Sequence, residues 1–247
     1  MRKINGGNLT VQASSAYETK PAAIGVGNEG EAEIKIRGGV ILASTNGDGT
    51  AIGPQRCSDD FQTDGSASVE ISGGEVTVEN TTGNTALGKT STNGCNLNIS
   101  GGNVIVKQGA IDADTLVIAG GSIYRSDGGE AEIRPTAKNG TGADAQNVYY
   151  ARADVSEIYG KNAAVTDVEG FQGYQFQNMK TDDKGVLHIY LPAEEGNLLS
   201  GTFAGITYQG TKEDPIVLSN FQMKLGQIGT DSADVEFQGI EKGGTIY

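Results

Sequence analysis

The chain has 247 residues, of which 38 are Gly, 5 are Pro and none is Trp. Its 18 Lys and Arg residues against 31 Asp and Glu residues give a net charge of −13 at pH 7. Because nucleic acids and anionic membrane surfaces are also negative, this charge disfavours both as partners. No apolar run reaches the ~18 residues of a transmembrane helix, so we expect no membrane insertion. The high Gly content, with few aromatic residues, predicts turn-rich β structure.

A motif of the form Ile-x-Ile-x-Gly-Gly-x-Val-x-Val recurs through the first half of the chain. On either side of each Gly pair, apolar and polar residues alternate, which is typical of β-strands. A second short segment, Ala-Ile-Gly or a close variant, follows the first four pairs at residues 23–25, 51–53, 86–88 and 110–112. The Gly pairs occupy residues 6–7, 38–39, 73–74, 101–102 and 120–121.

Three short strands separated by turns in every repeat predict a parallel solenoid, in which equivalent residues of successive repeats stack. By parity, Ile34, Ile36, Ile41 and Ala43 and their equivalents point inward, and the Gly pair forms a corner that a Cβ atom would hinder. The predicted fold class is therefore all-β: a right-handed parallel β-helix (β-solenoid) of about five coils, followed by one or two small antiparallel sandwich or immunoglobulin-like domains. The hand follows from the bias of parallel crossover connections. Independent hairpins or a sandwich built from the same strands are the alternative.

The repeats end near Tyr124, and the distribution of aromatic residues changes at the same point. We expect a β-helix over residues 1–125, a cap or linker over 126–147, and a small β domain over 148–212. Residues 213–247 are expected to be strands of a truncated immunoglobulin-like or fibronectin-like module of a longer protein. Within the third region, residues 174–176 and 186–192 are predicted to form a hairpin around the turn at 181–185, and residues 203–208 a further strand.

The Gly-Gly motif followed by Ala-Ile-Gly resembles the repeats of bacterial cell-surface proteins with right-handed β-helix domains, some of which bind carbohydrate. The strand at 186–192 resembles the small β module that often follows such repeats. This resemblance implies a large exported, extracellular protein used for adhesion or glycan contact. Its motifs are structural, and the family supplies no catalytic residue to carry over.

Basic side chains cluster at outward positions of the strand before the first two Gly pairs. Lys3, Lys35 and Arg37 would form a basic spot on an acidic protein, and cations at this spacing suit the carboxylates of an acidic sugar polymer. A solvated, solubilising face is the alternative. Tyr124, outward on the last repeat, is a candidate for stacking on a sugar ring. Apolar residues at other outward positions, such as Val40 and Leu42, predict that a following domain or a partner covers part of this face.

The two cysteines follow the Ala-Ile-Gly segments of successive repeats. Cys57 and Cys95 would therefore leave comparable corners, and a disulfide closing their loop would stabilise the fold by about 4 kcal/mol. They follow their segments at different distances, however, so two separate thiols are the competing interpretation.

Acidic residues offer a candidate cation site. Asp112 and Asp114 stand where other repeats have Gly, and as residues i and i+2 of a strand they would share a face. They would either hold a cation, with calcium as the candidate, or solvate a loop. Residues 46–50 have oxygen ligands at alternate positions but lack the later bidentate Glu of a calcium loop, which favours a plain turn. No other cofactor is expected.

The single histidine, His188, lies on a predicted strand and by parity faces away from the core, so a surface or half-buried position is expected. No Ser or Cys motif accompanies it. The hypothesis that the sequence favours is a non-enzymatic module that binds polysaccharide or a host-surface glycan or protein. A structural stalk or spacer is the alternative, and a β-helix polysaccharide lyase or hydrolase is a third possibility.

Overall fold

The computed structural model describes residues 1–14, 21–27, 30–55, 65–90, 94–156, 159–165, 174, 178–192, 199–203, 206–210 and 216–218, with side-chain environments described as far as residue 191. Within these ranges every regular element is a β-strand, which confirms the all-β class. The strands are β1 (Arg2–Ile4), β2 (Asn8–Ala13), β3 (Ile24–Val26), β4 (Glu31–Thr45), β5 (Ile52–Pro54), β6 (Ser66–Asn80), β7 (Thr85–Gly88), β8 (Gly94–Gln108), β9 (Ala110–Asp112), β10 (Thr115–Arg125), β11 (Val148–Asp154), β12 (Ala164–Val165), β13 (Met179–Lys180), β14 (Val186–Pro192), β15 (Leu199–Phe203), β16 (Ile206–Gly210) and β17 (Ile216–Leu218).

The repeats form two parallel sheets. In the larger sheet the order is β1-β4-β6-β8-β10, and β2 also pairs with β4, so that β1 and β2 together cover the length of the longer strand. The smaller sheet contains the Ala-Ile-Gly segments in the order β3-β5-β7-β9. Each strand therefore pairs with the equivalent strand of the next repeat, as the motif spacing predicts.

The register between repeats matches the inward positions that alternation predicts. Ile34 pairs with Val69, which pairs with Leu97, which pairs with Leu116, and the other inward positions align in the same way. All of these side chains are buried, because each lies between its neighbours above and below at the ~4.8 Å spacing of paired strands. The inward files are Ile34, Val69, Leu97 and Leu116; Ile36, Ile71, Ile99 and Ile118; Ile41, Val76, Val104 and Ile123; Ala43, Val78 and Val106; and Ile24, Ile52, Leu87 and Ile111.

The Gly pairs stack on one another at a bend within each long strand, where the register shifts. Gly102 has a φ of +81°, and a Cβ atom placed on it would lie 2.7 Å from both the carbonyl carbon of Gly73 and the oxygen of Gly74. Both the left-handed backbone and the close approach of the next repeat therefore require glycine.

Residues 132–138 lie along the last strands of both parallel sheets. The N–H of Ile111 donates to the carbonyl of Glu132, and the N–H of Ile118 donates to the carbonyl of Lys138. Residues of this segment also donate to β9 and β10: the N–H of Arg134 donates to the carbonyl of Ile111, and the N–H of Lys138 donates to the carbonyl of Leu116. These bonds satisfy backbone groups that would otherwise form an open sheet edge.

The strands after residue 147 pair differently from the sequence prediction. β14 pairs antiparallel with β11, which had not been predicted. Residues 175 and 176 of its predicted partner segment lie outside the described residues. β13 pairs with β12, and the described residues of the predicted single strand at 203–208 belong to two strands, β15 and β16, that pair antiparallel. β17 pairs in parallel with β11, so the sheet β14-β11-β17 is mixed. Strand propensity located β14, β16 and β17, but β11 and its pairing with β14 and β17 join segments that are far apart in sequence.

Candidate ligand groove at the Gly-Gly corner

A groove with a volume of about 480 Å³ and another of about 440 Å³ lie on the outer surface of the repeats. The second runs beside the Gly-Gly corner, between the repeats and the β12–β13 hairpin. We call it the corner groove. Its polar and apolar lining includes Arg37, Val40, Glu75, Asn103, Asn178 and Lys180.

One wall of the corner groove belongs to the repeats. Arg37 precedes the Gly pair of its repeat and is exposed, and it forms no ion pair with any residue that the structure describes. Val40 follows the same pair and is 38% exposed, and Leu42, two residues further on the same face, is 45% exposed. This wall therefore offers a bidentate cation beside an aliphatic surface.

The other wall comes from the β12–β13 hairpin and is fixed to the repeats by polar contacts. The backbone N–H of Lys180 donates to Asn103 Oδ1 at 2.9 Å, and its Nζ lies 3.4 Å from Glu75 Oε2. Asn178 Nδ2 donates to the carbonyl of Ser72 at 3.3 Å. Asn178 has a φ of +55°, a left-handed conformation that asparagine tolerates better than most residues.

The charges in the corner groove leave a net positive character. Glu75 and Lys180 neutralise each other, whereas the guanidinium of Arg37 lacks a carboxylate partner among the described residues. This local positive charge is an exception on a chain whose net charge is −13. The groove therefore favours a ligand that carries acidic or hydroxyl oxygens.

The predicted basic spot is only partly present. Lys3 pairs in register with Lys35, as expected, and both are on the strand that leads to Arg37. However, Lys35 Nζ lies 2.6 Å from Glu33 Oε1 and 3.5 Å from Glu70 Oε2. The hydrogen bond with Glu33 raises the pKa of Lys35, and the same bond lowers the pKa of Glu33. Of the three predicted cations, only Arg37 lines the corner groove.

Tyr124 is not the open stacking platform that the sequence suggested. The residue is 7% exposed, and its ring stacks on the His188 ring with 4.5 Å between centroids. A sugar needs a free ring face, and the strand β14 occupies that face. The expectation that a following segment covers part of this surface is confirmed at Tyr124, while Val40 and Leu42 stay exposed.

His188 is also placed differently from the prediction, because it is fully buried. Its Nε2 lies 3.0 Å from Asp182 Oδ2, and its Nδ1 lies 2.7 Å from the Tyr150 hydroxyl oxygen. Alternation along β14 correctly puts His188 opposite Leu187 and Ile189, but that opposite face packs against β10. The sequence offered no signal for this, since the contact depends on how distant segments dock.

The two aspartates are not brought together as a cation site. The strand β9 ends at Asp112, so the alternation that would align Asp114 with it does not continue. Asp112 Oδ2 lies 3.5 Å from Arg134, and Asp114 forms an ion pair with Lys89. Within the described ranges no group of three or more His, Cys, Asp or Glu residues is placed to hold a metal ion.

The turn at residues 46–50 is held by side chains of the next repeat. Asn80 is buried, and its Nδ2 donates to the carbonyls of Gly47, Gly49 and Thr85. Asp48 Oδ1 accepts from Asn84 Nδ2 at 3.0 Å. These bonds hold residues 46–50 as a turn against the next repeat.

Cys95 lines the groove of about 480 Å³, together with Glu31, Ser66 and Asp114. The thiol is buried, and its burial raises the pKa to about 12. Cys57 lies outside the described residues, so the pairing of the two cysteines stays a prediction.

Comparison with protein-family models, with curated proteins and with solved structures finds no match for this chain. Among the described residues no helix has the length and apolar character needed to cross a bilayer.

Proposed function

We propose that this chain is a non-enzymatic, extracellular cell-surface module that binds an acidic polysaccharide in the corner groove. Its repeats would wind as a right-handed parallel β-helix, in the manner of the bacterial surface proteins that they resemble. The parallel pairing of each segment with its equivalent one repeat later supports such winding. The right hand is the one that parallel connections of this kind prefer.

The observation that carries the binding proposal is the guanidinium of Arg37, which has no carboxylate partner among the described residues and lines a groove of about 440 Å³. This volume falls within the ~300–1,000 Å³ of small-ligand sites. Arg suits a carboxylate because its two parallel N–H groups match the two oxygens. The amide of Asn178 and the ammonium of Lys180 add donors on the facing wall.

The carboxyl groups that line the corner groove favour a binding function over hydrolysis. Glycoside hydrolysis normally needs two carboxyl groups, about 5–9.5 Å apart. Among the described residues that line the corner groove, the one carboxylate is Glu75, and it is already paired with Lys180. A lyase or hydrolase at this position is therefore the less favoured proposal.

A glycan array followed by titration with polygalacturonate tests the proposal. We expect Arg37→Ala and Lys180→Ala each to weaken binding by about 10- to 100-fold, the effect of losing a charge-assisted hydrogen bond of about 1.5–3 kcal/mol. Added salt should weaken wild-type binding as well.

Lys107→Ala is a matched control, because Lys107 is an exposed lysine that pairs with Glu79. It follows the groove residue Asn103 by four positions on β8, or about 13 Å along the strand. An equal loss of binding in Lys107→Ala would show that only net charge matters. A folded wild-type protein that binds no glycan would instead favour the stalk or spacer function.

A further inference from the structure

The C-terminal segment docks on the repeats through a buried polar junction centred on His188. The backbone N–H of His188 donates to Ser122 Oγ on β10 at 3.2 Å, and its ring stacks on Tyr124 of the same strand. Further along the same face, the Tyr174 hydroxyl donates to the carbonyl of Gly121. We call the contacts of His188 with Ser122, Tyr124, Tyr150 and Asp182 the histidine junction.

The hydrogen bonds around Asp182 determine which nitrogen of His188 carries the proton. Asp182 Oδ1 accepts the N–H groups of Lys184 and Val186, both at 2.8 Å, and these bonds favour the ionised carboxylate. An ionised Asp182 Oδ2 must accept from His188 Nε2–H. His188 Nδ1 then carries the lone pair and accepts the O–H of Tyr150.

The histidine junction therefore fits the neutral imidazole. A proton added to Nδ1 would face the Tyr150 hydroxyl hydrogen, which would have to turn away within a buried site. Asp182 favours the imidazolium, but Arg152 on β11 and Lys184 in the turn oppose it. Burial is the largest effect, and it lowers the pKa of His188.

The junction is linked directly to the wall of the corner groove. Lys180, which lines the groove, lies two residues before Asp182, and its backbone N–H is itself bonded to the repeats through Asn103. Loss of the junction would therefore weaken the attachment of β13 as well as that of β14, and would leave the contacts of Asn178 and Lys180 to hold β13.

We propose that the histidine junction is a pH-sensitive clasp, which holds the β13–β14 segment on the repeats at neutral pH and releases it in acid. Release of this segment in acid would open the corner groove. That consequence matters for ligand binding only if the proposed function is correct. The clasp itself does not.

The direction of the pH dependence of docking follows from the two states of His188. In the released state the imidazole is exposed to water and titrates near its ordinary pKa of about 6.5, whereas in the docked state its pKa is lower. As the pH falls below about 6.5, the released state takes up a proton first, and docking weakens by up to tenfold per pH unit. The loss continues until the pH reaches the pKa of the docked state.

Two measurements without any glycan test the clasp. Because the chain has a single histidine, its imidazole NMR signals belong to His188 and report its pKa directly. The amides of Lys180 and His188 donate to side chains of the repeats, so their hydrogen-exchange protection reports docking. The amide of Ile118, which donates to the carbonyl of Lys138 outside the β13–β14 segment, is the reference.

We expect the docked His188 signal to titrate below pH 6.5, and the protection of Lys180 and His188 to fall relative to that of Ile118 between about pH 7 and about pH 5. His188→Gln should abolish this pH dependence of Lys180. Should that variant fail to dock, Tyr150→Phe is the second test. It removes the donor to Nδ1, so it should raise the pKa of His188 and reduce the pH dependence.

Titration of His188 at or above pH 6.5 would overturn the clasp, as would protection of both amides that does not change with pH. Neither result bears on glycan binding at neutral pH, so the proposed function and the clasp fail separately.

Discussion

Alanine substitutions at three glycines separate backbone strain from steric stacking at the Gly-Gly corner. Gly102 has a φ of +81° and lies against the backbone of the previous repeat. Gly7 has a similar φ of +84°, but a Cβ atom there would meet nothing within 4 Å. Gly6 also has open space, without the positive φ. Substitution of Gly6 therefore introduces neither strain nor a clash, substitution of Gly7 introduces backbone strain alone, and substitution of Gly102 introduces both.

The magnitudes follow from these environments. A left-handed φ costs a non-glycine residue roughly 1–2 kcal/mol, while Gly→Ala at a compatible site stabilises by about 0.4–1 kcal/mol through the unfolded chain. We expect Gly6→Ala to be neutral or slightly stabilising and Gly7→Ala to lower the free energy of unfolding by about 1 kcal/mol. At Gly102 the Cβ contacts of 2.7 Å add to the strain. Separating β8 from β6 there would also weaken ladder hydrogen bonds of about 1 kcal/mol each, so a loss of at least about 3 kcal/mol is expected.

Urea unfolding followed by far-UV circular dichroism gives the free energies, provided that the m-values of the three variants agree. The comparison between Gly102→Ala and Gly7→Ala is decisive. If their stabilities agree to within about 0.5 kcal/mol, the repeats do not approach each other at the corner as described.

Other substitutions test the interior, the turns and the thiol. Ile71→Ala should lower the free energy of unfolding by about 2–5 kcal/mol, because Ile71 is fully buried between Ile36 and Ile99. Leu42→Ala, on the exposed face, should change the same free energy by less than about 1 kcal/mol. Equal effects in urea unfolding would contradict the inward and outward assignment. Asn80→Ala removes the donor to the carbonyls of Gly47, Gly49 and Thr85 and should cost about 3 kcal/mol in the same assay, while a loss below about 0.5 kcal/mol would mean that water replaces it. In a Cys57→Ser background, Cys95 should resist a thiol reagent near pH 8 until the protein unfolds, because burial raises its pKa to about 12, and rapid labelling of the folded protein would refute this.

The repeats were predictable because their structure depends on local alternation and on contacts between equivalent positions. Every repeat presents the same inward residues at the same distance from its Gly pair, so one register satisfies all of them. A shift by one residue would turn each branched aliphatic side chain towards solvent. This is why Ile34, Val69 and Leu97 align as expected.

The candidate sites were less predictable, because a cation in the sequence does not reveal its partner. Lys35 and Arg37 look alike as outward residues of one strand, yet Glu33 and Glu70 hold Lys35 while Arg37 remains available at the groove. Asp112 and Asp114 likewise depend on where β9 ends and on which basic residues lie nearby.

The sequence by itself determined the stacked interior of the repeats, since periodic patterns encode contacts between equivalent positions. Only the tertiary structure decided that β14 pairs with β11, that His188 is buried on Tyr124, and that Lys180 closes a groove beside Arg37. The pair Lys180 and Glu75 is separated by 105 residues, and it forms because one particular segment docks on one particular face. No local pattern records such a pairing, because it depends on the shape and polarity of two surfaces that exist only after each has folded.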